Sequence, residues 1–336
     1  MTHFNSGKVF YEENSVTQNV GDTWLSCAVT VGVCAYNEGF NIGNLLHNIL
    51  HEQELPAESE VIVVCSGCTD NTVSAAEEHA RADPRVKLHV EEARSGKASA
   101  INHILRNAKG SSILLVSADT LPSRGCFARI LVRLKTSRVG IVCGNPVPTN
   151  GTNTLVDKLV QMLWSMHCQV FAELNDAGLA RHATEVFCIR RGIVNEIPAE
   201  TVNDDAYIAV TAKKQGWLIK FEPKATVLIR GPETFTEYLS QRRRILWGHR
   251  QIKRITGEPP QHPAFLLPFH PVRVFRFILR FCATNSLPTV VAFTSTEIVA
   301  SGAALIDFFL GKSYSTWSVA ESTKRVTYPQ TKKNVG

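Results

Sequence analysis

Two adjacent aspartates, Asp204 and Asp205 in "NDDAYIA", have the right chemistry for proton transfer in this chain of 336 residues. When neighbouring carboxylates share a partly buried site, repulsion and burial raise the pKa of one of them towards the range in which it accepts a proton. The same pair also fits the start of a helix, where the helix dipole favours negative side chains without any catalytic role. The pattern alone leaves a catalytic base and an acidic helix start both open.

Cys65 and Cys68 form the only Cys-x-x-Cys of the sequence, within "VIVVCSGCTDNT". A redox pair is one interpretation, because such a motif near the start of a helix can hold a reactive thiolate. Structural zinc would need further paired ligands, and the sequence has no second Cys-x-x-Cys. The nine cysteines are odd in number and lie in apolar stretches, which favours small buried side chains in a reducing compartment. We therefore expect the chain to face the cytoplasm.

The whole chain has a formal net charge of +6 at pH 7, and its positive residues are concentrated in the last third. This asymmetry fits a phosphorylated ligand, an anionic membrane surface or nucleic acid, and a solvated surface is the alternative. No DNA- or RNA-binding signature accompanies it, so we do not expect nucleic acid as a partner. The residues concerned are Arg230, Arg242, Arg243, Arg244, Arg250, Lys253, Arg254, Arg273, Arg276 and Arg280.

The elements that must position these residues alternate between short β-branched runs and longer amphipathic segments from Cys27 onward. Apolar runs such as "VIVV" and "ILLV" are typical of strands that helices cover on both faces, so the sequence predicts an α/β fold with a doubly wound, parallel-rich sheet. Ligands of such sheets bind at the carboxyl ends of the strands. The stretches after the predicted strands are polar, glycine-bearing or acidic, namely "AYNE", "CSGCTD", "RSGKASA" and "SADTLP". We assign no element to the stretch around "TNGTNTLVDKLVQMLWSMHCQVF", and we expect the segment from Asn145 to Ala183 to influence specificity. Further along, the sequence predicts a strand at "WLIKFEP" and a basic helix over residues 234–257.

The sequence resembles the family 2 glycosyltransferases of the GT-A fold, inverting enzymes that include the cellulose, chitin, hyaluronan and poly-N-acetylglucosamine synthases. The resemblance depends on six ordered stretches: "VTVGVCAYNEGFNI", "EVIVVCSGCTDNT", "RSGKASAINHIL", "ILLVSADT", "NDDAYIAVTAKKQGW" and "QRRRILWG". It implies a Rossmann-like GT-A domain with a mixed sheet over residues 25–258. A polar N-terminal arm would precede it over residues 1–24, and a helical C-terminal region would follow over residues 259–336.

The resemblance implies a nucleotide pocket at the end of the first strand. Ala35, Tyr36 and Glu38 would contact the base or the ribose, with the Tyr36 ring available for stacking. In "CSGCTD", a cysteine and Ser66 stand where the family carries aspartates, one of which normally faces the base. Base recognition is therefore expected from Ser66, from backbone groups or from Glu38. Without the resemblance, Glu38 would be interpreted as an acidic residue at a helix start.

A metal site is implied at the end of the fourth strand, where the family carries Asp-x-Asp and this chain has Ser117-Ala118-Asp119. The resemblance implies that Asp119 ligates Mn²⁺ or Mg²⁺, because these ions accept oxygen ligands and keep waters and substrate phosphate oxygens. Ser117 would contact the ribose or a metal-bound water. Lys97 would reach the base or a phosphate. Without the resemblance, Asp119 would be a turn residue.

The acidic pair matches the Glu-Asp motif of the family. The resemblance places Asp205 at the position of the general base, and Asp204 replaces the glutamate. The base would remove the proton of an acceptor hydroxyl as this attacks the anomeric carbon opposite the leaving diphosphate, and that single displacement inverts the configuration.

The basic stretch "QRRRILWG" resembles the Gln-x-x-Arg-Trp motif through Gln241 and Arg244. Arginine side chains match diphosphate oxygens, so Arg244, with Arg242, would stabilise the leaving group. Ile245 stands where the motif has its tryptophan. Trp247 follows two positions later on a different side of the helix, so it does not simply replace the missing ring.

The C-terminal region has the pattern of a membrane-associated segment. "PVRVFRFILRF" places three arginines on one helical face and apolar residues around the rest, which is typical of a helix in the interface of an anionic membrane. The stretch "LPTVVAFTSTEIVASGAALIDFFLGK" is about long enough to span a bilayer, although Glu297 and Asp307 are costly in lipid unless they are paired. We expect peripheral or monotopic association with the cytoplasmic side of a membrane.

These expectations together describe a metal-dependent inverting hexosyl- or N-acetylhexosaminyltransferase. It would move a sugar from a nucleotide-sugar, with a UDP-sugar preferred, to a hydroxyl of a saccharide or lipid-linked saccharide. One alternative is a polyprenyl-phosphate glycosyltransferase, whose acceptor is already ionised and needs no base. A second is a nucleotide-sugar-binding protein without turnover, which the missing aspartates suggest, and a redox protein is the last. The chain length argues against a polymer exporter that works without a partner.

Overall fold

The structure of the protein, a computed structural model, describes residues 28–176, 178–261, 267, 270–314, 320–324 and 326. The predicted N-terminal arm over residues 1–24 lies outside the described residues. Within the described residues, eight strands form one mixed sheet, which confirms the predicted α/β class. They are β1 (Val29–Ala35), β2 (Glu60–Ser66), β3 (Val86–Glu91), β4 (Ser112–Ser117), β5 (Thr120–Pro122), β6 (Val139–Pro148), β7 (Val186–Arg190) and β8 (Leu218–Ile229).

Helices cover both faces of this sheet. They are α1 (Ile42–His51), α2 (Thr72–Ala82), α3 (Lys97–Asn107), α4 (Cys126–Leu134), α5 (Leu155–Asp176) and α6 (Asp204–Lys214). The helices α7 (Phe235–Thr256), α8 (Pro271–Thr284) and α9 (Leu287–Phe309) pack mainly against other helices. The alternation of side chains along β2 shows how the layers form. Val61, Val63 and Cys65 join the core on one face, whereas Ile62 and Val64 join the core on the other.

The strand order is β3-β2-β1-β4-β7-β6-β8-β5. β1 pairs with β2 and β4 in parallel, and β2 pairs with β3 in parallel, which is the doubly wound half that the sequence predicts. β7 runs antiparallel to both β4 and β6, so the sheet is mixed. The register sets Ala35 beside Cys65 and Cys34 beside Ser117. The carboxyl ends of β1, β2 and β4 therefore meet at one edge of the sheet.

Two parts of the fold differ from the sequence interpretation. α5, with 22 residues, lies in the segment to which no element was assigned, and it buries Leu159, Val160 and Phe171. β8 continues to Ile229, well beyond the predicted strand "WLIKFEP", and its extension pairs with β5 and with the end of β6. Both differences concern elements that are stabilised by distant partners.

The basic helix α7 is bounded by clear local signals. Thr234 accepts a hydrogen bond from the backbone of Glu237, and the Glu237 side chain accepts one from the Thr234 backbone, which forms a capping box. Gly257 ends the helix with a φ of 77°, a left-handed conformation that glycine adopts without a steric cost. The predicted helix over residues 234–257 is thus observed almost in full.

The C-terminal helix α9 packs along α7 through charged pairs. The Arg242 guanidinium donates to both carboxylate oxygens of Glu297, at 2.7 and 2.8 Å, and Arg243 pairs with Asp307. The two acidic residues that would be costly in lipid are therefore both paired. The opposite face of α9 leaves large apolar side chains exposed, among them Ile298, Val299 and Ile306. Within the described part of the chain, α9 alone is long and apolar enough to cross a membrane.

The preceding helix α8 also has an apolar surface. Phe275 and Leu279 have exposed fractions of 61% and 55%. Two of its arginines contact α5, because Arg280 pairs with the Glu173 carboxylate at 2.8 Å and Arg273 donates to the Glu173 carbonyl oxygen. The arginine face of α8 is thus turned partly towards the protein.

Candidate active site

A cavity of about 1070 Å³ opens at the carboxyl ends of β1, β2 and β4. The N-terminus of α6 and the middle of α7 form its other walls. All the predicted site residues line it: Ala35, Tyr36, Glu38, Ser66, Lys97, Ser117, Asp119, Asp204, Asp205, Gln241, Arg242 and Arg244. Residues from six distant segments therefore meet in one space, at the edge of the sheet where the sequence predicts a ligand.

The turn after β1 forms the side of the cavity where the sequence predicts the nucleotide. Glu38 is buried, its backbone N–H donates to Thr72 Oγ1 at 2.7 Å, and its carboxylate accepts from the Asn41 amide at 2.8 Å. Burial, and then the charge of Asp119, raise the pKa of Glu38 to about 8. The Arg94 guanidinium lies 3.8 Å from the centre of the Tyr36 ring. One aromatic face suited to stacking is therefore occupied by a cation in this structure.

The "CSGCTD" turn fits against the same wall. Gly67 has a φ of 61°, and a Cβ at this position would lie 2.5 Å from the Arg94 backbone nitrogen, so only glycine fits here. Ser66 Oγ accepts from the backbone N–H of Ser95 at 3.0 Å, which fixes the turn before α3. The two cysteines therefore flank a tightly packed connection between two walls of the cavity.

Cys65 is fully buried in the core, whereas Cys68 is partly buried and packs against the same core. Cys68 Sγ accepts from the backbone N–H of Asn37 at 3.5 Å. The Cys65 thiol lowers the pKa of Cys68 to about 6 by hydrogen bonding, against the opposing effect of burial. No group of three or more His, Cys, Asp and Glu side chains that suits a metal occurs among the described residues.

Asp119 is the carboxylate that suits a divalent cation. It lines the cavity directly after β4, and burial raises its pKa although the charge of Lys97 opposes this effect. Carboxylate oxygens are the ligands that Mn²⁺ and Mg²⁺ prefer, and such ions complete their shell with phosphate oxygens and water. The residues present thus fit an ion that binds together with a nucleotide diphosphate.

Lys97 lies between Ser117 at the end of β4 and the acidic pair at the start of α6. Its Nζ lies 3.3 Å from Asp204 Oδ2 and 3.4 Å from Ser117 Oγ. Burial alone would lower the pKa of Lys97, but the carboxylates of Asp204 and Glu185 raise it above its ordinary value. The lysine is therefore a permanent cation in the cavity.

Asp204 and Asp205 open α6, so the acidic helix start and the candidate base are the same pair. Asp204 is buried and paired with Lys97, whereas the Asp205 side chain keeps an exposed fraction of 29%. Burial, and then the charge of Asp204, raise the pKa of Asp205 to about 7, while Lys97 opposes the shift. This value suits a general base near neutral pH.

The α7 wall supplies arginines with different partners. Arg244 interacts electrostatically with Asp204, Glu185 and Asp205. Arg242 is bound to Glu297 as described above, so its main contact is with α9. Trp247 is buried against Phe308 and Tyr314, with ring centres 6.0 and 5.5 Å away.

Three side chains near the candidate base, Asp205, were not predicted from the sequence. His182 Nε2 lies 3.4 Å from Asp205 Oδ2, and the His167 ring centre lies 5.0 Å from that of His182. Burial lowers the pKa of His182 to about 4 and that of His167 to about 3, so both rings are neutral at pH 7. Glu185, directly before β7, also lines the cavity. The pairing of β7 with β4 brings two of these residues to the site, and no local pattern predicts that pairing.

A short segment near the C-terminus, from Ser322 to Val326, contacts the turn after β1 and the start of α7. The backbone N–H of Val326 donates to Asn41 Oδ1 at 3.1 Å, and Ser322 Oγ donates to Glu237 at 2.7 Å. The Lys324 ammonium lies 5.3 Å from the Tyr36 ring centre. A further cation is thus placed beside Glu38 and Asp119.

Comparison with known proteins places the chain among the glycosyltransferases. Residues 27–248 match the family model described as glycosyltransferase like family 2. The poly-beta-1,6-N-acetyl-D-glucosamine synthase of Staphylococcus aureus is 24% identical over 255 residues, which cover 73% of this chain and 61% of that protein. The probable glycosyltransferase YdaM of Bacillus subtilis is 23% identical over 237 residues, covering 67% of this chain and 56% of that one. The chain thus spans about three fifths of the length of these relatives.

One solved structure has the same fold over almost its whole length. It is the mannosyltransferase PcManGT of Pyrobaculum calidifontis in complex with GDP-Man and Mn²⁺, with a TM-score of 0.62 and 23% identity. The match covers 87% of this chain and 93% of that protein. The similarity confirms the GT-A fold.

Proposed function

The chain belongs to glycosyltransferase family 2, and from this premise we propose that it is a metal-dependent, inverting glycosyltransferase. It transfers a sugar from a nucleotide-sugar to a hydroxyl of a saccharide or lipid-linked saccharide. The observation that carries the proposal is the meeting of Asp119, Asp205 and Arg244 in one cavity. These residues supply a metal ligand, a base and a cation for the leaving group.

Asp205 acts as the general base in this proposal. Its pKa of about 7 lets it remain ionised near neutral pH and still accept a proton from the acceptor hydroxyl. His182 is neutral and lies within 3.4 Å of the Asp205 carboxylate, so it orients that carboxylate without neutralising its charge. Asp204 is held by Lys97 and keeps the pKa of Asp205 raised.

The departing nucleoside diphosphate is stabilised by positive charge. Mn²⁺ or Mg²⁺, when bound, neutralises the diphosphate as a Lewis acid, and Asp119 would hold it. Arg244 and Lys97 are the protein's own cations on the cavity wall, and they are positioned to contact phosphate oxygens. The donor sugar then lies between the diphosphate and Asp205.

The donor is proposed to be a UDP-sugar, with an N-acetylhexosamine as the transferred group. The S. aureus relative is named for a polymer of N-acetyl-D-glucosamine, which supports this sugar class. The P. calidifontis mannosyltransferase was solved with GDP-Man and Mn²⁺. This supports a divalent cation as the cofactor, and it is the reason to test GDP-sugars beside UDP-sugars as donors. We further propose that the exposed apolar faces of α8 and α9 hold the enzyme at the cytoplasmic side of a membrane as a peripheral or monotopic protein.

The proposal is tested by nucleoside diphosphate release from a panel of UDP- and GDP-sugars, with Mn²⁺ and with a chelator. We expect release from one donor that the chelator abolishes, and that Asp119→Ala reduces at least about a hundredfold, because the cation then lacks its carboxylate. Asp176→Ala, at the exposed end of α5, is the matched control and keeps the native rate.

The absence of aspartates at positions 65, 66 and 117 favours one other function, a nucleotide-sugar-binding protein without turnover. Donor binding without release of nucleoside diphosphate, with any donor of the panel and with acceptor extracts present, would establish this second function and contradict the transferase.

A further inference from the structure

We propose that Glu185 is a further ligand of the donor-bound divalent cation and supplies the carboxylate that Ser117 does not. This inference depends on the proposed function, because it concerns the metal of the transfer reaction. Ser117 stands at the first position of Ser117-Ala118-Asp119, so β4 itself contributes only the carboxylate of Asp119 to the cavity.

The sheet brings Glu185 to this position. β4 and β7 are antiparallel, and Val116 pairs with Val186, so the residue before β7 lies beside the residue after Val116. The Ser117 backbone N–H donates to the Glu185 carbonyl oxygen at 3.4 Å. The Ser117 hydroxyl donates to Glu185 Oε2 at 3.4 Å. A carboxylate from the neighbouring strand is thus held against the side chain of residue 117.

The charges around Glu185 are unbalanced without a further cation. Its carboxylate interacts electrostatically with Asp119, Asp204 and Asp205 and with the cations Lys97 and Arg244. Counted with Glu38 and Lys324, which also interact with Asp119, five carboxylates face three cations, so the formal excess is two negative charges. Like charges that share a half-buried site repel one another unless protons or cations neutralise them. A divalent cation matches this excess.

The chemistry of the pair suits such an ion. Mn²⁺ and Mg²⁺ in nucleotide sites are held by one or two carboxylates together with phosphate oxygens and water. Asp119 and Glu185 provide two carboxylates from adjacent strand ends, and Lys97 lies beside them to meet the phosphate. The remaining Glu185 oxygen is available to the cation while Ser117 holds the other.

The test measures Mn²⁺ affinity directly, by calorimetry with the full chain saturated with UDP, and in parallel with GDP. We expect Glu185→Gln to weaken Mn²⁺ binding by about tenfold or more, because one ligand is lost. The double variant Ser117→Asp/Glu185→Gln restores the affinity to within about threefold, since it returns a carboxylate to the same place. Glu196→Gln, whose side chain is 74% exposed, is the matched control and leaves the affinity unchanged.

Two results would overturn the inference while the native chain still binds Mn²⁺ with nucleotide. One is an unchanged Mn²⁺ affinity in Glu185→Gln. The other is a loss that Ser117→Asp does not restore, which would give Glu185 a purely structural role. If Glu185→Gln fails to fold, Glu185→Ser is measured instead, and a Mn²⁺ affinity equal to the native value would contradict the ligand role. A native chain that binds neither nucleotide with Mn²⁺ contradicts the proposed function itself.

Discussion

At the scale of single residues, the two adjacent aspartates have different environments although they share one helix turn. Asp204 is buried and fixed by Lys97, whereas Asp205 faces the cavity with a pKa of about 7. Because the charge of Asp204 raises the pKa of Asp205, we expect the pH dependence of the transfer rate to change when Asp204 is replaced.

We predict that kcat/KM rises with pH and reaches half its maximum near pH 7, because only the ionised form of Asp205 accepts a proton. Asp204→Asn removes the like charge, which lowers the pKa of Asp205 and moves the acid limb to lower pH. The measurement is a pH profile of nucleoside diphosphate release for both proteins, with Asp176→Asn as the control. An acid limb that stays in place or moves to higher pH would contradict this electrostatic coupling.

At the scale of elements, the parallel half of the sheet was predictable because each strand is a local apolar run and the chain alternates regularly. The position of the cavity could be predicted as well, since parallel strands present their carboxyl ends at one edge of the sheet, where ligands bind. Hence the positions of Tyr36, Ser66 and Asp119 on one cavity were predicted from the sequence. α5 was missed although Val156, Leu159, Val160 and Leu174 recur at helical spacing, which was a signal available in the sequence.

The antiparallel part could not be predicted in the same way. β7 lies between β4 and β6 because of tertiary pairing, and its register alone decides that His182 and Glu185 reach the cavity. The contact of Arg242 with Glu297 likewise joins residues 55 positions apart. Local periodicity contains no information about such pairings, so these site residues needed the structure.

The pairing of α7 with α9 leads to a stability prediction. Arg242 is buried, and Glu297→Gln would leave its guanidinium without a carboxylate. We expect the free energy of unfolding to fall by about 2 to 4 kcal/mol, because breaking a largely buried ion pair leaves an uncompensated charge. Chemical denaturation measures the change.

Glu173→Gln provides the matched control, since its pair with Arg280 is exposed and should cost less than about 1 kcal/mol. Equal losses in the two variants would show that the contact between Arg242 and Glu297 does not specially stabilise the packing of α9.

At the scale of the whole molecule, the candidate active-site cavity and the apolar helices are joined through α7. The cavity wall α7 is joined to α9, so a membrane that binds the exposed faces of α8 and α9 would lie close to the cavity. A lipid-linked saccharide would then approach from the membrane surface.

We predict that the full chain floats with lipid vesicles, and that its partition depends on both the apolar and the basic residues of α8. Phe275→Ser should weaken binding to neutral and anionic vesicles by about tenfold, because a large exposed apolar side chain is lost. Arg276→Gln should weaken binding to anionic vesicles alone, by about fivefold. Identical flotation of the native chain and both variants would contradict membrane association through this surface.

We propose that Asp205 removes the proton of the acceptor hydroxyl, while other residues of the cavity bind the donor. The most direct test compares Asp205→Asn with the native chain, using the donor found in the panel and a mixture of saccharide acceptors. We expect the rate of nucleoside diphosphate release to fall by at least about a hundredfold while the dissociation constant of the donor stays within about threefold. A variant that binds the donor normally and turns it over at the native rate would contradict the role of Asp205 as the base.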